Sequence, residues 1–402
     1  MKEKQTVPVL YKEKADCCGC GACFNVCPRQ AIAMKEDQCG FLYPEIDASV
    51  CVGCGRCRSV CSYQNEKVSH SPVKTFAAVA RDRNIVKKSA SGGIFAALAG
   101  KMIMEGGVVY GAAFWRDWSV QHTGIESISQ LHRLQGSKYT QSSTGTSFRQ
   151  VKHYLEQGRK VLYSGTPCQI AGLYGYLGKD DENLITVDII CHGVPSGRMF
   201  QDYIRQLETD NGGKVTAFSF RDKSAGWGIN GCALIEKKGI SVRKRIWQSA
   251  SSYLFYFTRG WIYRENCYQC KYACSHRPAD LTLGDYWGIE KVHPEYLGKG
   301  EWDESEGISV VIANSQKGLE TLEQLGELIE LKPSSFEKAA WKNGQLNHPS
   351  KPGSRDELLK QYASGGWSAL ENRFHKNIGW RKYSSQVKSV IPAGIKRRLK
   401  GL

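Results

Sequence analysis

Two cysteine runs share one spacing: Cys17-x2-Cys20-x2-Cys23-x3-Cys27 and Cys51-x2-Cys54-x2-Cys57-x3-Cys61. Three thiolates two residues apart wrap a tight loop around one face of an iron–sulfur cube, and the fourth cysteine of each run crosses to the other cluster. Cys17, Cys20, Cys23 and Cys61 are therefore expected to hold one [4Fe–4S] centre, and Cys51, Cys54, Cys57 and Cys27 the other. Thiolate is the soft donor such clusters select. Zinc knuckles, the alternative, use two widely separated Cys pairs and do not crowd three thiolates into one short loop. Gly19, Gly21, Ala22, Gly53 and Gly55 supply the small residues between the ligands.

A third group follows at Cys267-x2-Cys270-x3-Cys274, with Cys191 far upstream in DIICHGVP. Three close thiolates and one remote one fit a third [4Fe–4S] centre; a structural zinc or reduced buried thiols are the other readings. Cys168 competes with Cys191 for the fourth position, or stands as a redox thiol at a helix N-terminus, where thiolate is favoured. Cys18 and Cys39 fall outside the pattern and read as small buried fillers.

The elements that must position these residues change along the chain. Residues 1–70 read as a small α+β ferredoxin-like module, with AIAMKEDQCGFLYPEI as a hairpin covering the clusters. From residue 71 to 330 short β-branched or aromatic runs (VKTFAAVA, VVYGAAF, VLYSG, LITVDII, TAFSF, ISVVIAN) alternate with helix-like segments. That alternation predicts an α/β domain with a mixed, mostly parallel sheet. SASGGIFAALAGKMIMEGG reads as a helix with serine before it and glycines after it. Residues 331–402 read as a helical, basic extension broken at Gly365-Gly366.

Parallel sheets bind ligands at the carboxyl ends of their strands, where Gly-rich turns expose N–H groups at helix N-termini. Three turns have that character: Ser89-Ala90-Ser91-Gly92-Gly93, Gln135-Gly136-Ser137-Lys138-Tyr139, and Ser164-Gly165-Thr166-Pro167-Cys168-Gln169. Together they suggest a phosphate-bearing cofactor, with Lys138 as a point charge on phosphate.

The 402 residues carry 55 Lys and Arg against 39 Asp and Glu, a formal net charge of +16. Residues 351–402 alone hold twelve basic and three acidic side chains, +9 of that total. A basic tail attracts acidic proteins, anionic lipid or nucleic acid. No nucleic-acid-binding motif accompanies it, so no nucleic-acid partner is expected. No stretch approaches the ~20 apolar residues of a membrane span, which leaves peripheral membrane contact through the C-terminus as the most to expect. Sixteen cysteines in ligand spacing fit a reducing compartment, and a cytoplasmic location is expected. A homo-oligomer is compatible with this composition.

From Cys17 to Asn314 the sequence resembles the beta subunits of coenzyme F420 hydrogenase/dehydrogenase, with a 2[4Fe–4S] ferredoxin fused in front. The resemblance rests on Ser91-Gly92-Gly93, Gly136-Ser137-Lys138-Tyr139, Gly165-Thr166-Pro167-Cys168-Gln169, Cys191-His192-Gly193, and the Cys267–Cys274 run continuing into RPADLTLGDYWG. It implies an FAD-binding domain with its own [4Fe–4S] cluster, working as an oxidoreductase between iron–sulfur carriers and an organic acceptor or donor. That acceptor is coenzyme F420 or, in relatives from hosts without it, an intermediate of surface-polysaccharide synthesis. Ser91, Gly92, Gly93, Gly136, Ser137, Lys138, Tyr139, Thr166 and Gln169 then become candidates for the flavin's pyrophosphate and ring polar groups. His192 becomes a candidate proton donor, or a packing residue. Arg221-Asp222-Lys223 reads as an acid-binding or plain surface turn, and Asp285 as a cofactor contact or turn cap. The alternative function is an electron-transfer subunit docking on a partner enzyme, with Trp380 and IKRRLKGL as docking elements.

Overall fold

The computed structural model describes residues 7–65, 68–298 and 302–379. The two cysteine runs fold alike. In each, the glycines flanking the second cysteine take positive φ: 69° and 78° at Gly19 and Gly21, 64° and 72° at Gly53 and Gly55. That left-handed backbone is open to a residue without Cβ. Each run then enters a short helix, Ala22–Val26 (α1) and Arg56–Ser59 (α2). Between them Ile32–Glu36 (β1) and Leu42–Ile46 (β2) pair antiparallel as the expected hairpin, with Ile32 and Ile46 against the second cysteine run.

The main sheet takes its strands from the middle of the chain: Lys74–Ala80 (β3), Val108–Phe114 (β4), Val120–Ile125 (β5), Val161–Gly165 (β6) and Leu184–Ile189 (β7). Lys214–Ser219 (β8), Asn230–Lys237 (β9) and Ile240–Trp247 (β10) form a separate antiparallel sheet. The chain then returns with Leu281–Asp285 (β11), Ser309–Ala313 (β12) and Ile329–Ser334 (β13), giving the order β13-β3-β12-β11-β7-β6-β4-β5. The central pairs β11–β7, β7–β6 and β6–β4 are parallel and the outer ones antiparallel, so β3, β4, β6, β7 and β11 point the same way. This is the mixed, mostly parallel sheet that the alternating pattern predicts. The TAFSF run is the exception: it lies in β8, outside the main sheet.

Period-two burial sorts the strand residues onto two faces. Val109, Leu162, Val187, Leu283 and Val311 meet Ile94–Met104 (α4), which follows the short helix Arg83–Lys88 (α3). Val108, Val161, Tyr163 and Leu184 meet Ser147–Glu156 (α5) and Pro167–Leu177 (α6) on the other face. The small sheet packs with Gly197–Asn211 (α7), Ser252–Thr258 (α8) and the C-terminal helix Arg355–Ile378.

The ferredoxin module is seated on this body. A Cβ at Gly172 of α6 would lie 2.7 Å from the Cys20 sulfur, and one at Gly175 would lie 2.3 Å from the Val60 carbonyl oxygen. Those two glycines let α6 press against both cysteine loops. Arg149 donates to the Asn25 and Phe24 carbonyls, Asn25 to the Gly145 carbonyl, and Thr144 to the Cys20 carbonyl. Buried Arg264 donates to the carbonyls of Cys17 and Leu42 while lying 3.9 Å from the Tyr43 ring centroid.

Residues beyond 331 correct the expected boundary. Helix does not begin there: Ile329 and Leu331 alternate with Glu330 and Lys332, a strand pattern, and β13 pairs with β3. The long helix comes later, and Gly366, at φ 61° and ψ −162°, breaks it where Gly365-Gly366 predicts. Trp367, Leu370 and Phe374 of its second half are buried in the core of the small sheet. Trp380 and the IKRRLKGL segment lie outside the described residues. Among the described residues no helix is long and apolar enough to cross a membrane.

Candidate redox site

Cys27, Cys51, Cys54 and Cys57 line one cavity of about 350 Å³, the set that the crossed pattern assigns to one cluster. Burial pushes the Cys23 thiol up, and its neighbours Cys17 and Cys61 push it further. Cys61 acts on Cys23 although it closes the other run. The Cys27, Cys51, Cys54 and Cys57 set fits a cubane: soft thiolates, drawn from two loops, around a common volume.

The third cysteine group is assembled differently. A cavity of about 630 Å³ is lined by Cys168 at the start of α6, Cys191 after β7, and Cys267 and Cys270 from the segment before β11. Burial raises the Cys191 thiol to about 12 and Cys270 to about 11, and in both the next contribution is Cys168. Cys267 is raised by burial, then by Cys191 and Cys270. Cys274, expected as a ligand, does not line the cavity; its sulfur donates to the Lys271 and His276 carbonyls in its own loop. Both competitors for the remote position, Cys168 and Cys191, line the cavity. Cys18, expected as filler, is buried and also lines this cavity beside Cys168.

Cys168, Cys191, Cys267 and Cys270, four soft thiols drawn from separate segments around one cavity, are a donor set that fits a cubane.

Next to this cavity, at the carboxyl ends of β4, β6, β7 and β11, opens a cleft of about 1920 Å³. Ser142, Thr166, Gln169, Cys191, His192 and Gly193 line both spaces. All three Gly-rich turns reach the cleft, but their residues divide by task. Gly93, at φ 88°, starts α4 without a side-chain cap; its carbonyl takes the Ala96 and Ala97 N–H groups, so the Ile94 and Phe95 N–H groups of α4, which lines the cleft, have no partner within the helix. Gly136, at φ 78°, borders it with nothing within 4 Å of where a Cβ would sit, leaving open backbone. Ser137, Lys138 and Tyr139 follow along the wall.

Other candidates are occupied within the protein. A Cβ on Gly92 would lie 2.4 Å from the Ala78 carbonyl oxygen, and its N–H goes to Ser309; the residue seats the loop on the sheet. The Ser91 hydroxyl donates to the Ile308 carbonyl. Thr166 and Gln169 cap one another at the start of α6, and the Gln169 amide donates to Ser142. Lys138 donates to the Arg133 and Gln135 carbonyls, which leaves one of its three protons for a ligand. Burial pulls its pKa down to about 7. Burial also lowers His192, against the pull of Asp285, so its ring is neutral at pH 7.

Arg221 is not on a surface turn. It is buried and forks onto both Asp285 oxygens at 2.6 and 2.9 Å, and it also donates to the Tyr139 hydroxyl and the Ala90 carbonyl. Trp227 donates to the same carboxylate and stacks on Trp287 at 4.5 Å. Lys223 holds the Val86 and Ser91 carbonyls. Arg221, Asp285 and Lys223 thus brace the cleft's walls. A second buried pair, Arg277–Asp188 at 2.8 Å, ties the third cysteine segment to the end of β7. His122, which lines the cleft under β6, stacks on Tyr163 and bonds the Ser164 carbonyl oxygen through Nε2. None of these pairings has a local sequence signal, apart from the departure of Asp188 and Asp285 from the apolar pattern of a buried strand.

Three family models match this chain. Residues 16–65 match a 4Fe-4S dicluster domain, residues 75–148 match the N-term of the coenzyme F420 hydrogenase/dehydrogenase beta subunit, and residues 158–337 match its C terminus. The chain belongs to the coenzyme F420 hydrogenase/dehydrogenase beta-subunit family. The family is one of iron–sulfur oxidoreductase subunits, and this member carries a dicluster electron-transfer domain in front. Among solved structures the chain is similar to one in the xenon-derivatised F420-reducing [NiFe] hydrogenase complex from Methanosarcina barkeri. The identity is 18% and the TM-score 0.44, over 76% of this chain and 93% of that one. No curated protein matches it.

Proposed function

We propose that the chain is a flavin- and iron–sulfur-dependent oxidoreductase, moving electrons between its ferredoxin module and an organic partner such as coenzyme F420. One observation carries the reading: the cysteine-lined cavity and the large cleft share a wall, and the ferredoxin module is clamped to the same helix, α6, that brings Cys168 to that wall. FAD supplies the exchange between two-electron hydride chemistry and one-electron cluster chemistry.

The chain's own residues set the terms. Cys168, Cys191, Cys267 and Cys270 are the proposed ligands of a third [4Fe–4S] centre. The open first turn of α4, the Gly136 backbone and the Lys138 ammonium group receive the pyrophosphate. His192, neutral and on the shared wall, can donate or accept a proton at a ring nitrogen. The Trp227–Trp287 stack and the Arg221–Asp285 pair keep the far wall rigid for a planar partner.

Anaerobic purification with iron, sulfide, zinc and flavin measured on one sample tests this. About twelve iron atoms and one FAD per chain are expected, and reduced coenzyme F420 should bleach the visible absorbance. About eight iron atoms, with zinc and no flavin, would sink the reading.

A further inference from the structure

The two cysteine runs share one backbone but occupy opposite environments. In the first, Cys20 is 8% exposed and lies against Gly172, with Arg264 on the carbonyl of Cys17. Its counterpart in the second run, Cys54, is exposed. Around Cys54 the surface is apolar at its centre: Pro8 and Val52 border the Cys27–Cys57 cavity, and Val9 and Val52 are 65% and 41% exposed. Arg29 and Arg56 border the same cavity, and both are exposed. Neither forms an ion pair among the described residues. The nearby carboxylates are already engaged: Glu45 pairs with Lys35, and Asp47 accepts the N–H and hydroxyl of Ser49.

We infer that this face is the docking surface for an acidic one-electron carrier protein. The inference rests on the reading of Cys27, Cys51, Cys54 and Cys57 as cluster ligands. A single electron crosses: the carrier is oxidised by one electron as the cluster is reduced by one, or the reverse, with no bond made and no proton moved. Redox encounters are small, under about 1,200 Å², so a compact apolar centre suffices. The arginine rim selects an acidic partner and speeds the encounter by long-range attraction. The other end of the module offers no such face, being buried against the body of the protein.

The test is stopped-flow bleaching of the chain's clusters by a reduced, acidic plant-type [2Fe–2S] ferredoxin. The second-order rate constant of the native chain should fall about tenfold as salt rises from about 50 to about 300 mM. The double variant Arg29→Glu/Arg56→Glu should react about tenfold more slowly at low salt and lose most of its salt dependence. Dithionite, a small reductant, should bleach both proteins equally. Arg56→Glu alone gives a second, milder variant, and the salt series on the native chain needs no variant at all. A native rate that ignores salt, or a double variant as fast as the native chain, overturns the surface. A native chain that dithionite cannot bleach overturns instead the cluster reading beneath it.

Discussion

The ferredoxin module and the third cysteine group hold the same kind of ligand in opposite ways. In the module each loop delivers three cysteines within seven residues, Cys17 to Cys23 and Cys51 to Cys57, on a backbone bent by paired glycines. In the third group the sulfurs come from the start of α6, the end of β7 and the segment before β11, and they meet only when the sheet is complete. The first kind of site is written into a short stretch of chain. The second depends on buried ion pairs far from any cysteine. Damage to tertiary structure should therefore strip the third site and spare the other two.

The sharpest break in that comparison is at the ligands. Cys168→Ser should lower iron by about four atoms per chain and leave the dicluster spectrum intact, whereas Cys274→Ser should keep the full complement. Iron analysis with EPR on both variants checks this. The reverse result would return Cys274 to the ligand set.

Next in size is Arg277→Met. It leaves Asp188 buried without its partner, and removing one member of such a pair costs about 3–5 kcal/mol. Asp188 already resists ionisation because burial raises its pKa, with the Arg277 charge opposing the rise. The loop carrying Cys267 and Cys270 should detach from β7, with the third site's iron lost before the dicluster's in a thermal series.

These expectations also explain what the sequence could reveal. The module was legible because its ligands, glycines and hairpin are local, and β3, β4, β6, β7 and β12 were legible as β-branched runs. Cys274 carries the spacing of a ligand run, while its sulfur bonds carbonyls of its own loop. Cys168 is visible in sequence only as a competitor, since no spacing links it to Cys267. The structural contacts of Gly92, Thr166 and Gln169 were not legible because Gly-rich turns and helix caps use the same residue types for structure as for binding. Arg221 looked like surface because its partner, Asp285, lies 64 positions away.

A smaller effect probes the seam between the two regions. Gly172→Ala places a methyl group against the Cys20 sulfur, and overpacking of this kind costs about 1–3 kcal/mol. Iron content should stay complete, because no thiolate is removed. Calorimetry should show the lower melting temperature, and protease cleavage after residue 65 should become faster if the module lifts from α6.

The smallest effect follows from the burial that distinguishes the third site's surroundings. Lys138 titrates at about 7 because its ammonium group is desolvated, with two of its protons already on carbonyls. If it holds a phosphate of FAD, the bound anion restores its pKa, so binding takes up a proton whenever the free side chain is neutral. Affinity should then be constant below pH about 6 and fall as pH rises through about 7, by about tenfold at pH about 8. FAD fluorescence quenching on the apo-flavin chain measures it. Lys138→Met should bind more weakly at low pH and show a flat profile; a flat profile in the native chain would remove Lys138 from the phosphate site and leave the open turn of α4 and the Gly136 backbone to hold it.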